Sequence, residues 1–202
     1  LAITISAWLI GWFFLYPYIN MLLTSLKPHD EIYTDTPAHL PHSWQFGNYI
    51  SLWSKAPVAG FLKSSLIVSI FATILVLVIA IPAAYYVARN KFRGRGFFLL
   101  LVLATQMFSP TALIIGIFRE VKFFHGLNNY TSLIFVNAGF NLAFAVWLLS
   151  GFFSSVPAEI EEAALVDGCS RFKALRTITL PVALPGIVTA VIFTFVAAWN
   201  EF

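Results

Sequence analysis

The sequence predicts an all-α protein built as a polytopic transmembrane helical bundle, and two observations carry the prediction. Of its residues 59% are hydrophobic and 10% charged, with a mean hydropathy of +0.84, whereas soluble domains carry about 25% charged residues. The apolar residues also gather into long runs, each near the roughly 20 residues that cross a hydrocarbon core. Length therefore counts membrane spans here. The net charge of +3 is too small to imply a nucleic-acid partner. A single cysteine, Cys169, permits no intrachain disulfide and implies no oxidising compartment.

Five spans are expected in order. The first covers residues 1–26, uncharged; Trp8, Trp12, Tyr16 and Tyr18 suit interfacial anchors and Pro17 is expected to kink it. It is long enough to span and lacks a basic leader, so it reads as a retained helix rather than a signal peptide. Residues 27–57 form the one long polar loop, with His29, His39, His42, Asp30, Glu31 and Asp35. The spacing of those side chains fits no standard metal site. Pro37, Pro41, Trp44 and Tyr49 suggest an ordered excursion along a membrane surface.

The second span is expected over 61–88, with Pro82 tolerated inside it. Arg89, Lys91, Arg93 and Arg95 follow with no acid among them, which places that loop in the cytoplasm. The third span is expected over 97–118, with Thr105, Gln106, Ser109 and Pro110 at its middle and an outer loop carrying Arg119, Glu120, Lys122 and His125. The fourth covers 130–153, and the fifth starts near Val182 and runs to Phe202. From the basic loop, the N-terminus lies inside and the long loop outside. Seven Lys and Arg residues then lie on the inner side and five on the outer.

One stretch stands out, residues 155–181, with four of the nine acidic residues. It reads as two short helices joined at a glycine. Pro157 suits the first helical turn, and Glu159, Glu161 and Glu162 sit near the positive end of the helix dipole. Gly168 suits a left-handed C-cap. Ser170 can cap a second helix bearing Arg171, Lys173 and Arg176, which Pro181 stops or kinks. A helix-turn-helix that reads DNA is disfavoured, because this one stands between lipid-spanning runs.

Glu162-Ala163-Ala164, Gly168 and Ile178-x-Leu180-Pro181 stand at the spacing E-A-A-x3-G-x9-I-x-L-P. This stretch resembles the cytoplasmic loop of bacterial ABC importer permeases, the membrane subunits of binding-protein-dependent uptake systems. The resemblance implies the type I ABC importer permease fold, as a single transmembrane domain over residues 1–202 that is incomplete at its C-terminal end, with a sixth span expected beyond Phe202. It implies a coupling loop over 155–181 that seats in a separate ATPase. Glu159, Glu161, Glu162, Ala163, Ala164, Asp167, Gly168, Ser170, Leu180 and Pro181 are its expected coupling residues. Glu162 is the expected polar contact, Ala163 and Ala164 permit close approach, and Gly168 turns the chain.

The partners implied are two ATPase subunits, a second related permease, an external solute-binding protein facing the long loop, and the bilayer, with no nucleic acid. This chain is then no enzyme. It has no G-x-x-x-x-G-K-[ST] phosphate loop, so it is expected to bind no cofactor and to leave ATP and Mg to the ATPase. The localisation implied is a bacterial or archaeal cytoplasmic membrane, multi-pass, N-terminus in the cytoplasm.

The substrate pathway is less marked. Asn137 and Asn141 share one face of the fourth span, either lining a pore or bonding a neighbouring helix. Gln106 and Ser109 carry the same two readings. Trp199-Asn200-Glu201-Phe202 resembles a segment of the sugar-importing branch, where a ring covers a sugar's CH face and polar groups take its hydroxyls; interfacial anchoring is the other reading. Gly47-Asn48-Tyr49 and Tyr85-Tyr86-Val87-Ala88-Arg89 also resemble that branch. A carbohydrate such as trehalose or maltose is thus the expected solute. An ion-gradient-driven transporter or channel for a polar solute is the alternative, and such proteins place acids or histidines inside spans. The second to fourth spans hold none.

Overall fold

The computed structural model describes residues 2–33 and 40–201, so Asp35, Pro37, His39 and Phe202 lie outside the described residues. The described chain is helical, with no strand among the described residues. It divides into two compact units, Leu1–Phe61 and Leu62–Phe202.

In the first unit α1 (Ala2–Ser25) runs through Pro17 as one helix. Nearly all its described side chains are exposed, as an apolar helix facing lipid would be. Two short helices follow, α2 (His29–Ile32) and α3 (Gly47–Lys55). The loop folds back on the end of α1, where carbonyls lack intrahelical partners. Asn48 Nδ2 donates to the Ser25 and Lys27 carbonyls at 3.0 and 3.2 Å, Gln45 N donates to the Leu26 carbonyl, and Ser25 Oγ lies 2.6 Å from the Tyr49 hydroxyl. The Gly-Asn-Tyr run is thus the clasp that closes α1.

The second unit is organised by α4 (Val58–Arg89), whose first turn belongs to the first unit, and α7 (Tyr130–Ser155). Small residues recur on α4 at helical spacing, and Val68, Ala72, Val76, Ala80 and Ala84 are buried. Such residues let helices approach closely in lipid, where apolar burial alone gives no preference for a neighbour. Val76, Ala80 and Ala84 share a core with Ala138, Ala145, Leu149 and Phe153 of α7. Pro82 sits within α4 without ending it.

The third expected span is broken. It forms α5 (Arg95–Thr105) and α6 (Pro110–Phe123), bent by 87°. Pro110 is the cause: it disfavours helical geometry in the preceding residue, and Ser109 is extended at φ −67°, ψ 130°. Pro110 then opens α6, where its missing N–H is harmless. Gln106 and Ser109 therefore lie at the break instead of inside a helix, and Arg119, Glu120 and Lys122 lie on α6 instead of in a loop.

Beyond α7 come α8 (Ala158–Val166), α9 (Arg171–Ala174), a π-helical turn (Leu175–Thr179), α10 (Leu180–Val182) and α11 (Leu184–Asn200). The stretch Arg171–Val182 meets Leu184–Asn200 at 77°. Three helices, α1, α4 and α7, are long and apolar enough to cross a membrane, and counting each bent pair as one span makes five. This is the polytopic all-α architecture expected.

Candidate functional site

The polar stretch after α7 folds as its local chemistry dictates. Val156 and Pro157 are extended, at ψ 123° and 131°, so α7 ends and α8 starts in a new direction. Pro157 is the residue before the helix instead of its first turn. At the other end Gly168 adopts φ +84°. Its N–H donates to the Leu165 carbonyl and the Cys169 N–H to the Ala164 carbonyl, at 3.1 and 3.0 Å. That pair of bonds is a Schellman motif, which satisfies the free carbonyls of α8. Ser170 Oγ accepts from the Lys173 N–H at 3.3 Å and caps α9.

Downstream, Pro181 offers no N–H to the Thr177 carbonyl, and its ring crowds that group. The helix widens into the π turn just before it. Pro185, in the first turn of α11, completes the elbow.

The inward face of α8 carries two buried side chains, Glu161 and Ala164. Glu161 is the hub. Arg89, at the last turn of α4, donates from Nε and Nη2 to Glu161 Oε1 at 3.0 and 2.6 Å, and from Nη1 to the Val156 carbonyl at 2.8 Å. Thr179 Oγ1, in the π turn, donates to Oε1 at 2.5 Å, and the Tyr85 hydroxyl to Oε2 at 2.9 Å. The ring of Tyr85 stands edge-on to Phe153 of α7, centroids 6.1 Å apart.

The ion pair is dry, with side-chain exposures of 12% for Arg89 and 9% for Glu161. Burial pushes the Glu161 carboxyl up. The hydrogen bonds from Arg89, Thr179 and Tyr85, with the Arg89 charge, outweigh it and hold the group below its ordinary value.

The outward face is different. Glu159, Glu162, Ala163 and Asp167 are exposed. Val166 is 88% exposed and Phe172 74%, so the polar loop also carries apolar area on its surface. Of the expected coupling residues, Glu161 and Ala164 turn inward, Thr179-flanked Leu180 is half-buried, and Gly168, Ser170 and Pro181 are exposed.

Among the pathway residues, Asn137 is buried and its amide donates to the Leu133 carbonyl, while Asn141 donates to the Asn137 carbonyl. Both bond within α7. Gln106 Nε2, at the break, donates across to the Phe140 carbonyl at 2.9 Å, which brings it beside the turn that bears Asn141. Trp199 stacks on Phe195, while Asn200 and Glu201 are exposed.

The tie between Arg89 and Glu161 escaped sequence reading, which took Arg89 as an orientation signal and as the end of a run resembling the sugar-importing branch. Tyr85 and Thr179 were missed as its companions. The available signal was one basic residue at the end of a span and an acid on the same helical face as Ala164. Neither names its partner.

Residues 77–202 match the family model described as "Binding-protein-dependent transport system inner membrane component". Among characterised proteins, the chain is similar to the sulfoquinovosyl glycerol transport system permease protein SmoH of Agrobacterium fabrum, 35% identical over 93% of this chain and 66% of that one. It is similar to the diacetylchitobiose uptake system permease protein NgcG of Streptomyces coelicolor, 35% identical over 92% of this chain and 61% of that one. The trehalose/maltose transport system permease protein MalG of Thermococcus litoralis is 32% identical over 93% of this chain and 68% of that one.

The chain thus spans somewhat under two thirds of the length of the first two. Its fold matches a crystal structure of a bacterial ABC transporter involved in the import of the acidic polysaccharide alginate, with a TM-score of 0.79 at 22% identity, over 98% of this chain and 70% of that one. With three helices long and apolar enough to cross a membrane, or up to five if each bent pair is one span, and a family match that runs from mid-α4 through the loop around Gly168 to Phe202, the chain belongs to the inner-membrane component family of binding-protein-dependent transport systems.

Proposed function

We propose that this chain is the membrane-spanning permease subunit of an ATP-driven importer for a carbohydrate, a di- or oligosaccharide such as trehalose or maltose. It forms half of the translocation pathway and takes its energy from a separate ATPase. One observation carries the reading. The helix α8 is anchored from behind by Glu161 while presenting Glu159, Glu162, Ala163 and the apolar Val166 outward, as a knob seated in another protein's cleft would be.

In this reading two ATPase subunits hold ATP and Mg, a second permease completes the pathway, and a solute-binding protein delivers the sugar outside. Glu162 makes the polar contact to the ATPase, and Phe172 and Val166 supply apolar area around it. The N-terminus lies in the cytoplasm of a bacterium or archaeon, on the side set by Arg89, Lys91, Arg93 and Arg95. The sugar assignment is supported by what SmoH, NgcG and MalG are named for transporting, and by Trp199 beside Asn200 and Glu201.

The test is uptake of labelled trehalose and maltose by proteoliposomes that hold the complete complex. Uptake that requires ATP inside and survives an uncoupler supports the importer. Uptake that collapses with the ion gradient and ignores ATP contradicts it.

A further inference from the structure

A knob can drive a span only if it is fixed to that span. Helix α8 is poorly fixed by its own packing: it has nine residues and buries two side chains, Glu161 and Ala164. Both its connections are short turns, the extended Val156-Pro157 before it and Gly168-Cys169 after it. What holds it is the Glu161 carboxylate, which receives donors from three other points at once. Arg89 and Tyr85 come from the last turns of α4, and Thr179 from the π turn that leads to α11. The third Arg89 donor reaches the Val156 carbonyl and so ties down the first turn as well. Helix α4 continues from Arg89 as a 32-residue rod, about 48 Å long at 1.5 Å per residue.

Resting on the importer reading, we infer that the Arg89–Glu161 node is the mechanical joint of the subunit. It locks α8 to α4 and to the elbow before α11, so that displacement of the knob moves both spans as one body. Arg89 and Glu161 are positioning residues. Without them the turns at Pro157 and Gly168 act as hinges and absorb the movement, and ATP turnover no longer reaches the pathway.

The experiment uses the assembled complex with Cys169→Ala and paired spin labels at Ile160→Cys on α8 and Val78→Cys on α4, where Ile160 is 44% and Val78 65% exposed. Distances are read at rest and after trapping with ATP and vanadate. With the node intact, the distance distribution is expected to stay unchanged on trapping. In Glu161→Gln it is expected to match at rest and then shift or broaden by several ångströms on trapping, with ATP hydrolysis within about twofold of the parent.

A merely stabilising role would leave the trapped distance unmoved in any variant that assembles. If Glu161→Gln does not assemble, the double variant Tyr85→Phe/Thr179→Val keeps the ion pair, removes two of the donors and is expected to show a smaller broadening on trapping. An unchanged distribution on trapping, in whichever of these variants assembles, overturns the joint. Absence of any ATPase from the parent complex overturns the importer reading itself, and is seen before a label is introduced.

Discussion

Arg89 Nη2 lies 2.6 Å from Glu161 Oε1 across 72 residues of sequence, joining the end of a membrane span to the short helix α8, whose other face is exposed. Both charges are nearly dry. Such a pair is a poor source of net stability but a severe loss when one member is removed, because the other stays buried and unpaired.

Removing one charge is therefore expected to be worse than removing both. Arg89→Met alone should lower stability by about 3–5 kcal/mol, and Arg89→Met/Glu161→Met by clearly less. Thermal unfolding of the purified complex, followed by fluorescence-detected gel filtration, checks the order. A double-variant loss equal to the sum of the losses in Arg89→Met and Glu161→Met alone would show that the pair is not coupled.

The depressed ionisation of Glu161 gives the node a pH signature. Its carboxyl is more acidic folded than unfolded. Its contribution is therefore fully present above the ordinary glutamate value near 4.3 and is lost as pH falls from there through the lower folded value. The unfolding temperature of the parent should drop across that acid window more steeply than that of Glu161→Gln. Parallel curves would show that Glu161 does not carry the difference.

Gly168 is constrained by backbone rather than by space. Its φ is +84°, and nothing lies within 4 Å of where a Cβ would stand. Gly168→Asn should be tolerated, since Asn visits the left-handed region, whereas Gly168→Val should lose about 1–2 kcal/mol and Gly168→Asp should abolish transport while the protein still inserts. Membrane quantity by immunoblot, set beside uptake, distinguishes the three. Normal uptake in Gly168→Asp would count against a coupling role for this loop.

Gly186 is the opposite case. A Cβ there would stand 2.3 Å from the Phe152 ring, at the crossing of α11 on α7. Gly186→Ala should destabilise the complex by about 1–3 kcal/mol through overpacking, and Phe152→Leu in the same chain should recover part of the loss. Thermal unfolding of the two variants decides it.

How much of this was legible beforehand follows from distance along the chain. The Gly168 cap and the Ser170 cap involve partners within five residues, and local chemistry predicts them. The prolines were harder: Pro17 and Pro82 sit inside intact helices while Pro110 breaks one. The ring costs a helix the same bond each time, and tertiary surroundings decide whether the helix survives. Glu161 and Glu162 are adjacent, yet about 100° apart around a helix. Which one turns inward is settled by Arg89, and no local pattern announces a partner so remote. For Asn137 and Asn141, periodicity put both amides on one face, but it did not show that each bonds its own helix.

That finding sharpens the pathway question. Asn137→Ala and Asn141→Ala remove bonds internal to α7, so assembly should survive. If these amides meet the solute, uptake affinity falls in the intact complex; unchanged affinity and rate would remove them from the pathway.

The central claim is that this chain works as one permease subunit driven by a separate ATPase. Affinity purification of the tagged chain from its native membrane in mild detergent, with mass spectrometry of what accompanies it, tests that most directly. The account predicts an ATPase subunit and a second multi-span permease in the purified complex. A folded homo-oligomer with no ATPase would contradict it.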